Sequence, residues 1–183
     1  MEEANIECSN SVMKNLLSRR SVRHFTERPV SREILDAVLM AGCFAPSGRN
    51  LQTWRFTVLT DAGKIRELKE LICQASAQEK LPPPYGFENP SALILLSNDM
   101  RNENGIQDCA CAAENMMLAA WSFGVGSVWL NSLKNLCEAA SIRSILGSYG
   151  IPQNHRVWTM VALGYPAEEP RALARKRDVV HYV

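Results

Sequence analysis

Three polar clusters in this 183-residue chain carry side chains that could bind an anion or a planar polar ligand. The first is Arg19-Arg20-Ser21-Val22-Arg23, whose arginines repel one another unless an anion lies among them. Guanidinium groups bind phosphate through paired hydrogen bonds, and the serine adds a hydroxyl donor. The alternative interpretation is an exposed basic patch whose arginines are solvated or paired with acids.

The second cluster is the stretch APSGRNLQTW at 45–54. Pro46 and Gly48 predict a sharp bend rather than a helix or a strand. The carboxamides of Asn50 and Gln52 can each donate and accept hydrogen bonds. The third cluster, Arg175-Lys176-Arg177, is on its own typical of a solvated tail. The three clusters together could surround one anionic, planar ligand.

Composition narrows the class of protein. Hydrophobic residues make up 46% of the chain, enough for one core, and the formal net charge of +1 creates no overall field for nucleic acid or an anionic membrane. No apolar run reaches the roughly 18–20 residues of a membrane-spanning helix. The polar start of the sequence does not resemble a secretory signal. We therefore expect a cytoplasmic protein with no nucleic-acid or membrane partner.

The cysteines and histidines show no pattern of a metal site or a nucleophile. The six cysteines include no C-x-x-C pair, and the three histidines lack ligand spacing, so we expect buried, reduced thiols and no metal. G-x-S-x-G is absent, as are both standard dinucleotide loops, G-x-G-x-x-G and G-x-x-x-x-G-K-[ST].

Helical and strand patterns alternate along the chain. Ser31 is the expected N-cap of the second helix. Apolar spacing and turn residues predict helices at 11–18, 32–42, 64–77, 109–123 and 135–146, and strands at 56–59, 92–96, 125–130, 157–163 and 179–183. These elements predict a layered α+β or mixed α/β fold formed by one domain, residues 1–183.

The helix at 109–123 has almost no polar face. A helix that is apolar all round is expected to be buried all round. In a chain of this size, that places it either at the centre of the fold or in a large subunit interface.

Taken in order, these features resemble the nitroreductase family. R-R-S-x-R resembles its flavin-phosphate motif, and A-P-S-x-x-N-x-Q-x-W resembles its second FMN-binding loop. The apolar helix followed by GVGSVWL at 124–130 is similar to the family's central dimer helix and next strand. The sequence ALGYP at 162–166 and the basic C-terminal segment match in kind and order.

The resemblance implies an α+β fold in which helices flank a mixed β-sheet, built as an intertwined homodimer with FMN at the subunit interface. Arg19 and Ser21 would contact the FMN phosphate and ribityl chain, with Arg20 included in that site. Arg23 would approach the pyrimidine side of the ring, where positive charge stabilises the anion that forms on reduction.

The resemblance also assigns the second cluster to FMN. Pro46, Ser47 and Asn50 would come from the other subunit or from the opposite wall of the same pocket. The amides of Asn50 and Gln52 would match the imide edge or the ribityl hydroxyls. The other expected FMN-binding residues are Asn131, Arg175 and Arg177.

The activity implied is that of an FMN-dependent oxidoreductase using NADH or NADPH. Nitroaromatics, quinones or similar small acceptors would be reduced by a ping-pong mechanism, and flavin-centred chemistry needs no catalytic side chain. The alternatives are an FMN-binding protein without turnover, acting as a flavin store or sensor, and a dehalogenase, flavin-degrading or dehydrogenase activity on the same scaffold. The near-neutral charge disfavours a nucleic-acid-binding role.

The sequence departs from the family pattern at several positions. Thr53 stands where the loop commonly has proline, and Arg49 adds a charge beside the expected cofactor. The short segment between Cys73 and Pro90 leaves the substrate pocket undefined. Within it, Tyr85 and Phe87 either cover the flavin or pack against the core.

Overall fold

An antiparallel sheet forms the centre of the fold. The structure is a computed structural model that describes residues 10–81, 88–176 and 178–183. Within these residues, the helices are α1 (Ser11–Ser18), α2 (Arg32–Cys43), α3 (Ala62–Gln78), α4 (Gly105–Ser122) and α5 (Ala140–Ser148). The strands are β1 (Trp54–Leu59), β2 (Ala92–Asp99), β3 (Gly126–Leu130) and β4 (His155–Gly164), in the order β1-β2-β4-β3.

Helices cover both faces of the sheet. One core, which includes Leu68 and Ile142, lies between the sheet and α3 and α5. The other core, which includes Val38 and Met116, lies between the sheet and α2 and α4. Alternate residues of β2 belong to the two cores, so this strand is buried along its whole length. A strand buried on both faces reads as a continuous apolar run, which is why the sequence predicted it.

Side-chain caps fix where two helices begin. Ser31 Oγ accepts the Ile34 N–H at 3.4 Å, which confirms Ser31 as the N-cap of α2. Asp61 Oδ1 accepts the Lys64 N–H at 2.9 Å at the start of α3. Each cap satisfies a backbone donor that the first turn of a helix leaves unpaired.

The start of one predicted helix and the whole of one predicted strand are wrong. The helix predicted at 135–146 begins only at Ala140, because the residues before it form successive turns, as in the Leu136 N–H to Leu133 carbonyl bond of 3.0 Å. Buried apolar residues in consecutive turns imitate helical spacing. The strand predicted at 179–183 is absent from the described tail, and Val179 and Tyr182 are exposed.

The sheet itself is antiparallel, not mixed. All neighbouring strands in the described part of the chain are antiparallel. Parallel pairing occurs in isolated bridges outside the strands, between Ser21 and Ser127, beside β3, and between His24 and Glu88.

α4 is buried along one face rather than all round. Cys109, Ala112 and Met116 are fully buried, whereas Leu118 is half-buried and Ile106 is 36% exposed. In the single chain, one face of α4 therefore lies in the core and the rest of the helix is partly exposed. Among the described residues, no helix combines the length and apolarity needed to cross a bilayer.

Candidate functional site

Backbone hydrogen bonds position residues 19–25, here called the arginine segment. The Val22 N–H donates to the Ser127 carbonyl at 2.9 Å, next to the parallel bridge that Ser21 makes with Ser127. The Phe25 N–H donates to the Glu88 carbonyl at 3.2 Å. The segment therefore lies along the end of β3 like a short additional strand.

A pair of glycines lets the arginine segment approach the sheet. Gly126 and Gly164 face each other across β3 and β4. A Cβ on Gly126 would lie 2.8 Å from Val22 Cβ, and one on Gly164 would lie 2.8 Å from Phe25 Cβ. Distances this short are not tolerated between carbon atoms, so the close approach depends on the absence of both side chains.

The three arginines of the segment point to different partners. Arg19 Nε lies 3.7 Å from a carboxylate oxygen of Glu114. Arg20 donates to the carbonyls of Leu17 and Arg19, both at 2.7 Å, and so turns back to the carboxyl end of α1. A cation is favourable there because of the helix dipole. Arg23 is exposed.

Ser21 and Arg23 line a cleft of about 400 Å³ together with C-terminal residues 168–171 and 173. The cleft includes Arg171, a single arginine that lies outside the three polar clusters and has no local motif to mark it. Two carboxylates, Glu168 and Glu169, line the same cleft. Arg175 is exposed and does not line it, and Arg177 lies outside the described residues.

A buried hydroxyl at the parallel bridge has no partner in the described part of the chain. Ser127 Oγ is buried, and no hydrogen bond to it is found. Buried polar groups without partners are uncommon in folded proteins and often mark functional sites. This one lies on the residue that pairs with Ser21.

The backbone of residues 46–52, here called the amide loop, is strained. Arg49, Asn50 and Gln52 have φ values of 54°, 56° and 49°, in the left-handed region. Non-glycine residues in sparsely populated regions cost about 1–3 kcal/mol each and cluster at functional sites, although asparagine tolerates this region better than most.

Hydrogen bonds within the amide loop draw its polar residues together. The Gln52 N–H donates to Ser47 Oγ at 3.3 Å, and Gln52 Nε2 donates to Asn50 Oδ1 at 2.8 Å. The side chains of Asn50 and Gln52 are exposed, as is Pro46. Ser47, Asn50 and Gln52 are therefore held together within one chain.

A buried polar cluster joins the amide loop to the start of α4; we call it the Asp108 network. Asp108 Oδ1 accepts the Gly48 N–H at 2.8 Å, and Oδ2 accepts from Asn102 Nδ2 at 2.9 Å. Asn102 Nδ2 also donates to Thr53 Oγ1 at 2.8 Å, and Thr53 Oγ1 donates to Asn98 Oδ1 at 2.7 Å. Thr53 stands where the family's loop commonly has proline. It thus has a structural role, because proline has no hydroxyl to make these two bonds.

Residues 21–23 of the arginine segment and the amide loop lie at opposite ends of α4, whereas Arg19 contacts Glu114 in the middle of the helix. The loop is bonded to Asp108 in the first turns, whereas the segment pairs with Ser127, just after the helix ends. The fifteen-residue step from Asp108 to Phe123 corresponds to about 22 Å along the helix. β2 gives a similar length of about 20 Å from Ala92 to Asn98, at the same two ends.

Asn131 lies apart from the arginine segment. Its Oδ1 accepts from the indole N–H of Trp129. Both residues line a smaller cleft, of about 190 Å³, with Ile106, Lys134 and Trp158. This cleft adjoins the N-terminal half of α4.

The described thiols and acids do not form a nucleophilic or metal centre. Burial raises the pKa of Cys109 to about 12, with a further contribution from Asp108, so the thiol stays protonated near neutral pH. Cys43 and Cys73 are exposed, which corrects the expectation that all thiols would be buried. No metal-binding group of His, Cys, Asp and Glu is found among the described residues.

Comparison with known proteins gives consistent matches. Residues 16–165 match the nitroreductase family. The chain is 34% identical over 162 residues to an Archaeoglobus fulgidus protein provisionally named NADH dehydrogenase/NAD(P)H nitroreductase, with 86% of each chain covered.

Solved structures share the fold. A Bacteroides fragilis nitroreductase with bound FMN superimposes with a TM-score of 0.88 at 35% identity, covering 96% of this chain and 100% of the other. The NADPH:FMN oxidoreductase of Vibrio harveyi, solved with NAD+, has a TM-score of 0.75 at 27% identity, covering 94% and 77%. The resemblance and the fold predicted from the sequence motifs are confirmed, and the chain belongs to the nitroreductase family.

Proposed function

We propose that the protein is an FMN-dependent NAD(P)H oxidoreductase, formed by one domain over residues 1–183 that dimerises to complete its flavin sites. The bound FMN of the Bacteroides fragilis relative and the NAD+ of the Vibrio harveyi relative support this proposal. The observation that carries it is the placement of two FMN-suited groups, the arginine segment and the amide loop, at opposite ends of α4.

That placement favours a site shared between two subunits. Arg23 is assigned to the pyrimidine side of the ring and Asn50 to the imide edge or the ribityl hydroxyls, yet the elements that carry them are about 20 Å apart within one chain. Contacts with the same part of the cofactor are easier to make from two subunits than across this distance in one chain. The arginine segment of one subunit therefore faces the amide loop of the partner.

Exposed apolar residues are suited to the subunit interface. Phe44 and Leu51, which flank the polar part of the amide loop, are 79% and 53% exposed. Val12 and Leu17 on α1 are 63% and 57% exposed. Apolar patches of this kind commonly mark interaction surfaces. A homodimer would cover them together with the half-buried stripe of α4.

The residues at the two ends fit different parts of FMN. In the cleft, the Ser21 hydroxyl and the guanidinium groups of Arg23 and Arg171 provide donors for a phosphate and for the adjoining polar atoms. Arg19 can add a donor by exchanging its 3.7 Å contact with Glu114 for the phosphate. At the other end, the amides of the loop match a flavin edge that presents both donors and acceptors.

Bound FMN would accept a hydride from NAD(P)H and pass two electrons to a nitroaromatic, quinone or similar small acceptor. The chain's task is to orient the cofactor and to leave one face open to both substrates in turn, which gives a ping-pong order. Arg23 places positive charge near the pyrimidine side, where negative charge develops. Cys109 takes no part, because its thiol is buried and protonated.

An anaerobic absorbance experiment tests this activity. The purified protein, reconstituted with FMN if colourless, should show the flavin band, lose it on addition of NADPH or NADH, and regain it with a quinone. A protein that cannot be reconstituted would contradict the proposal. A yellow protein that neither nucleotide bleaches would favour the flavin store or sensor.

Heterodimers test whether the site is shared. Arg23→Ala and Asn50→Ala should each weaken FMN binding in homodimers by about tenfold or more, from loss of a charge-assisted or polar contact. A doubly tagged heterodimer of the two variants should regain one site of wild-type affinity, since one arginine segment and one opposing loop are both intact. If each site lay within one chain, both sites of the heterodimer would remain weak.

A further inference from the structure

The Asp108 network ties both ends of the strained amide loop to one carboxylate. One oxygen of Asp108 holds the N–H of Gly48, at the start of the left-handed stretch. The other oxygen holds Asn102, which in turn holds the hydroxyl of Thr53, just after that stretch. Asp108 is 3% exposed and Asn98 is fully buried, so water competes little with these bonds.

The loop's internal hydrogen bonds have a different setting. The bonds from Gln52 to Ser47 and to Asn50 lie at the surface, where water can replace them. Exposed bonds alone are weak support for three left-handed residues in a stretch of four positions. Strain of this kind persists only where the surrounding structure enforces it, and the part-buried bonds from Gly48 to Asp108 and from Asn102 to Thr53 supply that enforcement.

We propose that Asp108 is a positioning residue for the flavin site, acting through Gly48, Asn102 and Thr53 on the loop presented to the partner subunit. The inference rests on the proposed function. The network keeps the loop in the form that directs Asn50 and Gln52 outward. The cofactor then binds without first ordering the loop, which raises its apparent affinity.

The donors and acceptors of the network have fixed directions. Asn102 Oδ1 accepts the Asn104 N–H at 2.9 Å, so its amino group must face Asp108 and Thr53. In Asp108→Asn, one oxygen becomes an amino group that faces either the Gly48 N–H or the Asn102 amino group. Reversing the Asn102 amide would lose its bonds to Asn104 and Thr53. The carboxylate is therefore not replaceable by its isosteric amide.

Thr53 gives a milder test of the same network. Its hydroxyl donates to Asn98 and accepts from Asn102, so valine of the same shape removes the bond to the buried Asn98 carbonyl oxygen and one of the two bonds of the Asn102 amino group. Thr53→Ser keeps the hydroxyl. Tyr149→Phe is a matched control, because it removes a hydroxyl bond to the Lys64 carbonyl, 3.2 Å long, on the α3 and α5 side of the sheet.

The experiment is an FMN titration of the full-length apo dimers, with the visible circular dichroism of bound FMN as a second signal. Thr53→Val should raise the FMN Kd about tenfold and change the dichroism, as expected for loss of the two hydrogen bonds of the Thr53 hydroxyl. Thr53→Ser and Tyr149→Phe should stay within about twofold of wild type on the same scale. Asp108→Asn should raise the FMN Kd more than Thr53→Val does. If Asp108→Asn does not fold, the comparison of Thr53→Val with Thr53→Ser still tests the inference.

Two outcomes would overturn different claims. Wild-type FMN affinity and dichroism in Thr53→Val, with only a lower unfolding temperature, would show that the network is merely structural and would overturn this inference alone. A wild-type protein that binds no FMN would overturn the proposed function, and this inference with it.

Discussion

The arginine segment and the amide loop are positioned by opposite means. Backbone hydrogen bonds hold the segment against the end of β3, over two facing glycines, and its charged side chains extend from an ordinary extended chain. Side chains hold the loop, through the Asp108 network, in a backbone form that L-residues rarely adopt. The position of the arginine segment thus depends on two residues that lack a side chain. The position of the amide loop depends on hydrogen bonds made by side chains.

The difference matches the chemistry expected at each end. A phosphate accepts hydrogen bonds from many directions, so long arginine side chains can adapt to it once the backbone is near. The edge of a planar ring requires donors and acceptors at fixed angles, and a carboxamide must be oriented before it can satisfy them. Substitutions that add volume beneath the arginine segment should therefore displace it. Substitutions that remove a hydrogen bond or alter the backbone conformation should displace the loop.

Gly126→Ala should give the largest effect on the arginine segment. The new methyl group would lie 2.8 Å from Val22 Cβ, so the segment must move away from β3 and carry Arg23 with it. We expect the FMN Kd to rise by more than about tenfold and the free energy of unfolding to fall by about 1–3 kcal/mol. FMN titration and urea unfolding of the apo protein measure the two quantities.

Gly147→Ala is the control for that change. Gly147 lies in α5, and a Cβ there meets nothing within 4 Å. Alanine at this position should leave FMN affinity unchanged and raise stability by up to about 1 kcal/mol, since alanine favours the helix. Wild-type FMN affinity in Gly126→Ala would show that the glycine pair does not set the position of Arg23.

Substitutions at Arg49 separate backbone strain from charge at the loop. Arg49→Ala removes the charge and keeps a side chain at φ 54°, whereas Arg49→Gly removes both. Glycine should be more stable than alanine by about 0.5–1 kcal/mol, because relief of left-handed strain exceeds its greater entropy when unfolded. Urea unfolding of the two variants gives the difference. Equal stability, or a more stable alanine variant, would show that the loop does not keep this conformation.

Elements with local signals could be predicted from the sequence. The helix after Ser31 has a cap and regular apolar spacing, and β2 is a continuous apolar run. The tail at 179–183 could not be judged, because valine and tyrosine favour a strand only where a neighbouring strand is present to pair with. The start of α5 was missed because buried turns share its apolar spacing.

The site was only partly readable in the same way. The arginine segment and the amide loop are linear motifs, but Asp108 is a single carboxylate in an apolar helix, and only the fold brings it to Gly48 and Thr53. The bend predicted around Gly48 is present as the turn Gly48–Asn50, although the left-handed residues are those after the glycine. Gly48 serves close packing, since a Cβ there would lie 3.0 Å from Asn104 Cβ.

The smallest expected effect concerns a second acid at the loop end of the sheet. Hydrogen bonds from Arg101 hold the pKa of Asp99 well below its usual range, and Asn154 Nδ2 donates to the same carboxylate at 3.0 Å. A depressed pKa stabilises the fold above the unfolded pKa of about 4, and this contribution is lost as the pH falls through the folded value. Arg101→Ala should raise the folded pKa of Asp99 and remove part of that stability.

The stability gap between Arg101→Ala and wild type should therefore be present at pH 7 and shrink below about pH 4. Urea unfolding of both proteins at pH 7 and at a pH below about 4 measures this difference in stability. Arg32→Ala is the control, because it removes a 2.8 Å pair with Asp36 in which both side chains are mostly exposed, and exposed pairs contribute little. A gap for Arg101→Ala that persists unchanged in acid would show that Arg101 does not stabilise this end of the sheet through the charge of Asp99.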